Sequence, residues 1–197
     1  NKELKSLFNI NGSFFNSLIS AKTNARPISV MFQDTRLLPH LTVKENILFA
    51  LKKSKVKKTI SKGLNIENVI EALNINHLLN KFPDQLSGGQ QQLVNLCRTL
   101  AIKSDFIILD EPMSSLDIKN KSVVLSLLKQ INQHYKIPIL IISHSVEEIA
   151  QISDKVIIIE KGKKIYYGNL SQIFLKKEFT NIFGKFESSS ILEGVIC

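Results

Sequence analysis

Phe106-Ile107-Ile108-Leu109-Asp110-Glu111-Pro112 sets an unbroken apolar run of strand length directly against two carboxylates and a proline. A strand without polar alternation is buried on both faces, the habit of parallel strands covered by helices. Ile139-Leu140-Ile141-Ile142 and Val156-Ile157-Ile158-Ile159 have the same form. Helical patterns lie among these runs: Gln90 to Lys103 with Leu93, Leu96, Leu100 and Ala101 inward, Asp117 to His134, and Val146 to Ile152. This alternation predicts a layered α/β domain with a mostly parallel sheet.

Upstream, Leu7 to Asn11 and Pro27 to Phe32 read as extended segments, with an irregular stretch from Phe14 to Ala25 between them. Thr42-Val43-Lys44-Glu45 is a capping box opening a helix through Leu51, with Val43, Ile47 and Leu51 on one face. The lysine-rich residues 52 to 63 read as a loop or frayed helix end. Glu67 to Leu73 is helical, and Pro83-Asp84 breaks the chain before Leu86-Ser87-Gly88-Gly89-Gln90. Downstream, Ser145 and Glu148 form a second capping box. Lys164 to Tyr167 after Gly162 reads as a closing hairpin strand, and Leu170 to Leu175 as a short helix.

Hydrophobic residues make up 44% of the sequence and charged residues 22%, the balance of an ordinary globular domain. No apolar run reaches the roughly 20 residues of a membrane span, and the first residues carry no signal-peptide pattern. Cys97 and Cys197 have no framework spacing and suit a reducing compartment. The net charge of +9 comes almost wholly from lysine, since only Arg26, Arg36 and Arg98 are arginines. Lysines spread along the chain favour a solvated surface over a nucleic-acid interface, which concentrates arginine and aromatic residues on one face. No nucleic-acid partner is expected.

Four local features point to chemistry. Asp110 and Glu111 sit at the C-terminal end of a buried strand, where α/β proteins place ligands. Two carboxylates there can divide roles, one holding Mg²⁺ and the other orienting and deprotonating a water; an acidic turn after a strand is the plain alternative. His144 follows a second buried strand and Gln33 a third, so both fall at the same sheet edge. Ser87-Gly88-Gly89 puts bare backbone N–H groups at a helix start, which suits an anion and equally an ordinary Ser87 cap.

In this order the pieces resemble the nucleotide-binding domain of ABC transporters over roughly residues 5 to 175. Gln33 corresponds to the Q-loop, Leu86 to Gln90 to the signature motif, and Ile107 to Pro112 to the Walker B strand with its catalytic glutamate. Ser114-Ser115-Leu116-Asp117 corresponds to the D-loop and His144 to the switch histidine. The phrases Val30 to His40, Ser143 to Ile149 and Glu187 to Val195 are similar to the ATPase of molybdate importers. The resemblance implies a P-loop NTPase-like fold over residues 1–185. It places a helical signature subdomain at about 40–103, and makes 186–197 a linker or the start of a C-terminal extension.

It further implies ATP and Mg²⁺ as cofactors and a head-to-tail dimer with a second ATPase subunit. Ser87, Gly88, Gly89 and Gln90 would meet the partner's ATP. Asp110 and Gln33 would hold Mg²⁺, Glu111 would polarise the attacking water, His144 would contact the γ-phosphate, and Asp117 would communicate between sites. Two transmembrane permease subunits would dock on residues 34 to 60, with Leu37, Leu38 and Leu41 as apolar contacts, at the cytoplasmic face of the membrane. A periplasmic or surface binding protein would act through them. A sulfate, amino-acid or metal importer, and a non-catalytic domain completing a partner's site, are the alternatives.

The sequence holds no Gly-x-x-x-x-Gly-Lys-Ser/Thr: Gly162-Lys163 lacks the first glycine at Ile157, and Gly184-Lys185 lacks it at Phe179. In the family this Walker A loop precedes the strand matching Leu7 to Asn11. The expectation is an N-terminally truncated ABC domain, with little or no hydrolysis by residues 1–197 alone.

Overall fold

In the computed structural model, residues 28–53, 64–102 and 104–174 are described. Two compact units meet in the chain at His144 and Ser145.

The first unit is organised by a parallel sheet of β1 (Ile28–Met31), β2 (Phe106–Asp110) and β3 (Ile139–Ile142), with β2 in the middle. Ile28 to Met31 pair with Phe106 to Leu109, and Ile107 to Asp110 with Ile139 to Ile142. Met31, Ile107 and Leu109 are fully buried. The Ser29 and Ser104 hydroxyls, both buried, satisfy each other at 2.9 Å and pin the start of β2 to β1.

Around the sheet come α1 (Val43–Lys53), α2 (Ile66–Ala72), short 3₁₀ turns at Asn76–Leu78 and Pro83–Gln85, α3 (Gly88–Ala101) and α4 (Ile118–Tyr135). The helix α3 touches α1, α2 and β1. Its buried stripe of Leu93, Leu96, Leu100 and Ala101 is the one its periodicity predicts, joined by Val94 and Cys97. Burial pushes the Cys97 thiol up to about 12, so this cysteine acts as a small apolar core residue. On α4, Val124, Leu127, Leu128 and Ile131 turn inward, and Lys136 closes the helix in the left-handed region at φ 54°.

The second unit contains α5 (Val146–Ile152), β4 (Lys155–Glu160), β5 (Lys163–Asn169) and α6 (Leu170–Phe174). The expectation that Val156 to Ile159 forms a further parallel strand is corrected here. Among the described residues β4 pairs antiparallel with β5, and Ile159 is 67% exposed. Lys161 and Gly162 both adopt positive φ, 48° and 75°, a turn that folds the chain straight back on itself. Tyr166 anchors this hairpin, packed by Val156, Ile158 and Leu170.

One further boundary differs, and four segments fall outside. The α3 helix starts at Gly88, two residues before the predicted Gln90, because Ser87 already supplies the cap. The segments Leu7 to Asn11 and Phe14 to Ala25, most of the lysine-rich stretch and residues 186–197 lie outside the described residues.

Candidate functional site

The three strands run parallel and in register, so their C-terminal ends share one edge. That edge carries Gln33 beyond β1, Asp110 and Glu111 at the end of β2, and His144 beyond β3. Glu111 extends the ladder by one bond, its N–H donating to the Ile142 carbonyl at 2.9 Å. Its backbone then turns left-handed, φ 49°, at a cost of about 1–2 kcal/mol for a residue with a Cβ. The turn returns its side chain to β3. Glu111 Oε1 accepts from the His144 N–H at 3.1 Å and lies 2.7 Å from His144 Nδ1. With the carboxylate ionised, Nδ1 is the nitrogen that carries hydrogen. The glutamate is 14% exposed and the histidine 83%. Both bonds fall on Oε1, leaving Oε2 unengaged among the described residues.

The start of α3 is built by a reciprocal cap. Ser87 Oγ accepts from the Gln90 N–H at 3.3 Å, and Gln90 Oε1 accepts from the Ser87 N–H at 3.1 Å. The next carbonyl bond runs from Gln91 N to Ser87 O. The Gly88 and Gly89 N–H groups, left over from the first turn, have no partner among the described residues. The two glycines have different surroundings. A Cβ on Gly89 would stand 2.9 Å from the Ser115 carbonyl oxygen, so the backbone of the Ser114-Ser115 turn excludes a side chain there. A Cβ on Gly88 would meet nothing within 4 Å.

A residue the sequence did not single out joins these parts. Gln92 is 3% exposed. Its Nε2 donates to the Glu111 carbonyl at 2.7 Å and to Ser114 Oγ at 3.1 Å, while its Oε1 accepts from the Ser115 N–H at 2.7 Å. The sole signal in the sequence was an amide beside Leu93, on the buried side of an amphipathic helix.

The segment after Gln33 is held against α3. Arg98 donates to the Arg36 carbonyl at 2.7 Å, the Thr35 carbonyl at 3.0 Å and Asn95 Oδ1 at 3.0 Å. Asn95 Nδ2 donates to the Phe32 carbonyl, and Thr35 Oγ1 to Gln91 Oε1. Burial pulls the Arg98 guanidinium below its ordinary value, but its charge persists because an arginine starts so high. Asn46, fully buried, gathers the carbonyls of Leu38, Leu41 and Thr42 and accepts from the Leu38 N–H. Leu37, Leu38 and Leu41 are half-buried; Leu48 and Phe49 on α1 are the exposed apolar residues of this region.

Of the predicted set, the structure brings Glu111 into contact with His144 and Ser87 into contact with Gln90. It sets Gly89 against the turn that leads to Asp117. Asp117 itself caps α4, accepting from the Asn120 N–H at 2.8 Å and from Asn120 Nδ2 at 3.0 Å. Asp110 is half-buried and Gln33 exposed, on neighbouring strand ends. Among the described residues no three His, Cys, Asp or Glu side chains cluster as a metal cage. Mg²⁺ does not need one: it keeps several waters and takes one or two carboxylates together with substrate phosphates. The oxygens of Asp110 and Gln33 are a donor set of that kind. Among the described residues, no helix is long and apolar enough to cross a membrane.

A family model for the ABC transporter matches residues 7–114. The molybdenum import ATP-binding protein ModC of Methylococcus capsulatus is 33% identical over 174 residues, 88% of this chain and 48% of that protein. That of Haemophilus influenzae is 34% identical over 173 residues, 88% of this chain and 47% of that protein. The chain thus spans about half the length of the curated relatives it matches. Among solved structures, a dimeric ATP-binding cassette in a post-hydrolysis state bound to ADP and Pi aligns with a TM-score of 0.61. It is 26% identical, covering 82% of this chain and 68% of that chain.

Proposed function

The chain belongs to the ABC transporter family, and on that premise we propose that it is the ATP-hydrolysing subunit of an importer for a small oxyanion, molybdate first. The observation that carries the catalytic part is the Glu111 carboxylate. It projects at the C-terminal edge of a parallel sheet, steadied through Oε1 by His144, with Oε2 left for a water. In this reading Glu111 polarises the attacking water as general base and His144 contacts the γ-phosphate. Asp110 and Gln33 hold Mg²⁺, whose charge offsets that of the phosphates.

The open flank of α3 supports the second half of the site. Ser87, Gly88 and Gly89 offer N–H groups and a helix dipole to the γ-phosphate of ATP held by a second subunit, head to tail, with Gln90 keeping the cap in shape. Nothing in the packing around Gly88 requires a glycine, which fits a place reserved for close approach of a ligand. Asp117, on the turn that touches Gly89, communicates between the two sites. The solved relative described as a dimer with ADP and Pi supports this arrangement.

Relatives named for molybdenum import support the substrate. On this reading the protein sits peripherally at the cytoplasmic face, docked on two permease subunits through the region of Leu48 and Phe49, and a substrate-binding protein delivers the oxyanion from outside. The test is Glu111→Gln in the full-length protein with its permease. ATP turnover, stimulated by molybdate, is expected to fall about a hundredfold or more, while ATP-bound dimers accumulate on size exclusion. Unchanged turnover would remove Glu111 as the base. Stimulation by sulfate and not by molybdate would move the substrate assignment.

A further inference from the structure

We propose that Gln92 is a positioning residue for Glu111, coupling the start of α3 to the catalytic carboxylate and to the Ser114-Ser115 turn through one buried amide. The inference rests on the hydrolytic role proposed for Glu111.

The chemistry at Gln92 fixes its orientation. The Glu111 carbonyl can only accept and the Ser115 N–H can only donate. The amide therefore meets them with Nε2 and Oε1 respectively, at 2.7 Å each, and neither end can be exchanged without breaking both bonds. These partners lie 19 and 23 residues away in the chain, so the contact is not a by-product of local helix geometry. Glu111 needs such a hold. Its left-handed backbone is unfavourable for a residue with a Cβ, and persists only where its surroundings over-determine it.

Four bonds fix the backbone on either side of Glu111. The Glu111 N–H is tied to β3, and its carbonyl accepts from Gln92 Nε2, from the Ser114 N–H at 3.3 Å and from Ser114 Oγ at 3.2 Å. Gln92 is the one of these that comes from α3, whose first turn carries Gly88 and Gly89. A shift of that turn is therefore passed to the peptide that aims the carboxylate. Gln92 touches no reacting atom and acts only through Glu111 and the turn.

The test compares wild type, Gln92→Met and Gln92→Glu in the full-length protein. Gln92→Met keeps the length of the side chain and removes all three of its hydrogen bonds. Its kcat for ATP hydrolysis is expected to fall about tenfold or more, as misaimed catalytic groups do, with KM within threefold and ATP-dependent dimerisation retained. A kcat within twofold of wild type overturns the inference, as does a parallel loss of kcat, ATP affinity and dimerisation, which marks a merely structural residue.

Gln92→Glu decides the matter even where the methionine variant does not fold. At high pH its carboxylate still accepts from Ser115 but repels the Glu111 carbonyl. As pH falls it regains a proton to donate. Burial raises an introduced carboxyl, so its kcat relative to wild type should rise on going from pH 8 to pH 6; groups common to both proteins cancel in that ratio, which isolates the new one. A flat ratio overturns the inference. If wild type itself does not hydrolyse ATP, the proposed function falls and this inference falls with it; loss confined to the variants cannot be confused with that outcome.

Discussion

Two helices of this protein begin with the same device and spend it differently. At the start of α1, Thr42 and Glu45 cap each other: Thr42 Oγ1 accepts from the Glu45 N–H at 3.3 Å, and Glu45 Oε2 accepts from the Thr42 N–H at 2.8 Å. At the start of α3, Ser87 and Gln90 make the same pair of bonds. In α1 the next two donors are used up, Val43 N–H by the Lys81 carbonyl and Lys44 N–H by the Leu79 carbonyl, both at 2.9 Å. Val43 is also fully buried. In α3 the next two residues are glycines whose N–H groups are not consumed among the described residues. The box residue is a carboxylate in α1 and a neutral amide in α3. A helix start that serves folding takes in a negative charge and closes its donors. One suited to an external anion leaves the donors open and keeps its own negative charge away.

The sharpest way to break this comparison is Gly88→Asp in the full-length protein. An aspartate in the first turn favours the helix through the dipole, so thermal stability should hold or rise slightly. It also sets a carboxylate where the proposed function has a phosphate, and ATP turnover should drop about a hundredfold or more, the scale of losing one oriented donor at a developing charge. Retained turnover would reduce the α3 start to a cap like that of α1.

Gly89→Ala probes the packed side of the same turn. Its Cβ would meet the Ser115 carbonyl oxygen at 2.9 Å, so a denaturant titration should read a net loss of about 1–3 kcal/mol from overpacking. A neutral or stabilising result would mean that the turn yields freely to α3.

The smallest expected effect is at α1. Thr42→Ala removes a cap without touching any proposed ligand group, and costs about 1 kcal/mol of stability at neutral pH with ATP turnover unchanged. Hydrogen bonds from the Thr42 backbone and then its side chain hold the Glu45 carboxyl below its ordinary value. A depressed folded value means that the bonds to the carboxylate stabilise above the unfolded value and are lost as pH falls through the folded one. The difference between wild type and Thr42→Ala should therefore narrow on acidification, as followed by thermal melts across pH 7 to pH 3.

Much of this was legible in the residues, for reasons that differ by element. The strand at 106–110 could be read because a parallel strand buried on both faces leaves an uninterrupted apolar run; 139–142 carries the same run and pairs as expected, but it is only half-buried, with Ile142 48% exposed. The same run at 156–159 misled, since its pairing was decided by Lys161 and Gly162 in the turn after it and not by its own composition. Capping boxes are local, so Thr42 with Glu45 and Ser145 with Glu148 could be paired from spacing alone, and Ser87 could be read as a cap, though not its return bond from Gln90. The common edge of Gln33, Glu111 and His144 followed once the strands were read as parallel. The left-handed turn at Glu111 could not be read, because a glutamate gives no sign of it and the contacts that impose it come from far along the chain. Gln92 stayed hidden for the same reason: a polar residue on a helix looks solvated until its distant partners are known.

The bonds behind Gln33 have a mechanical consequence. Arg98, Asn95 and Gln91 fasten α3 to the backbone and side chain of residues 32–36 through four hydrogen bonds. A hinge needs slack, and this joint has little. If α3 tilts by an ångström, it must either drag the segment beside Gln33 along with it or snap those four bonds. The helix and the stretch after β1 are thus best pictured as one stiff piece, a crank whose two arms end at Gly88 and at Gln33.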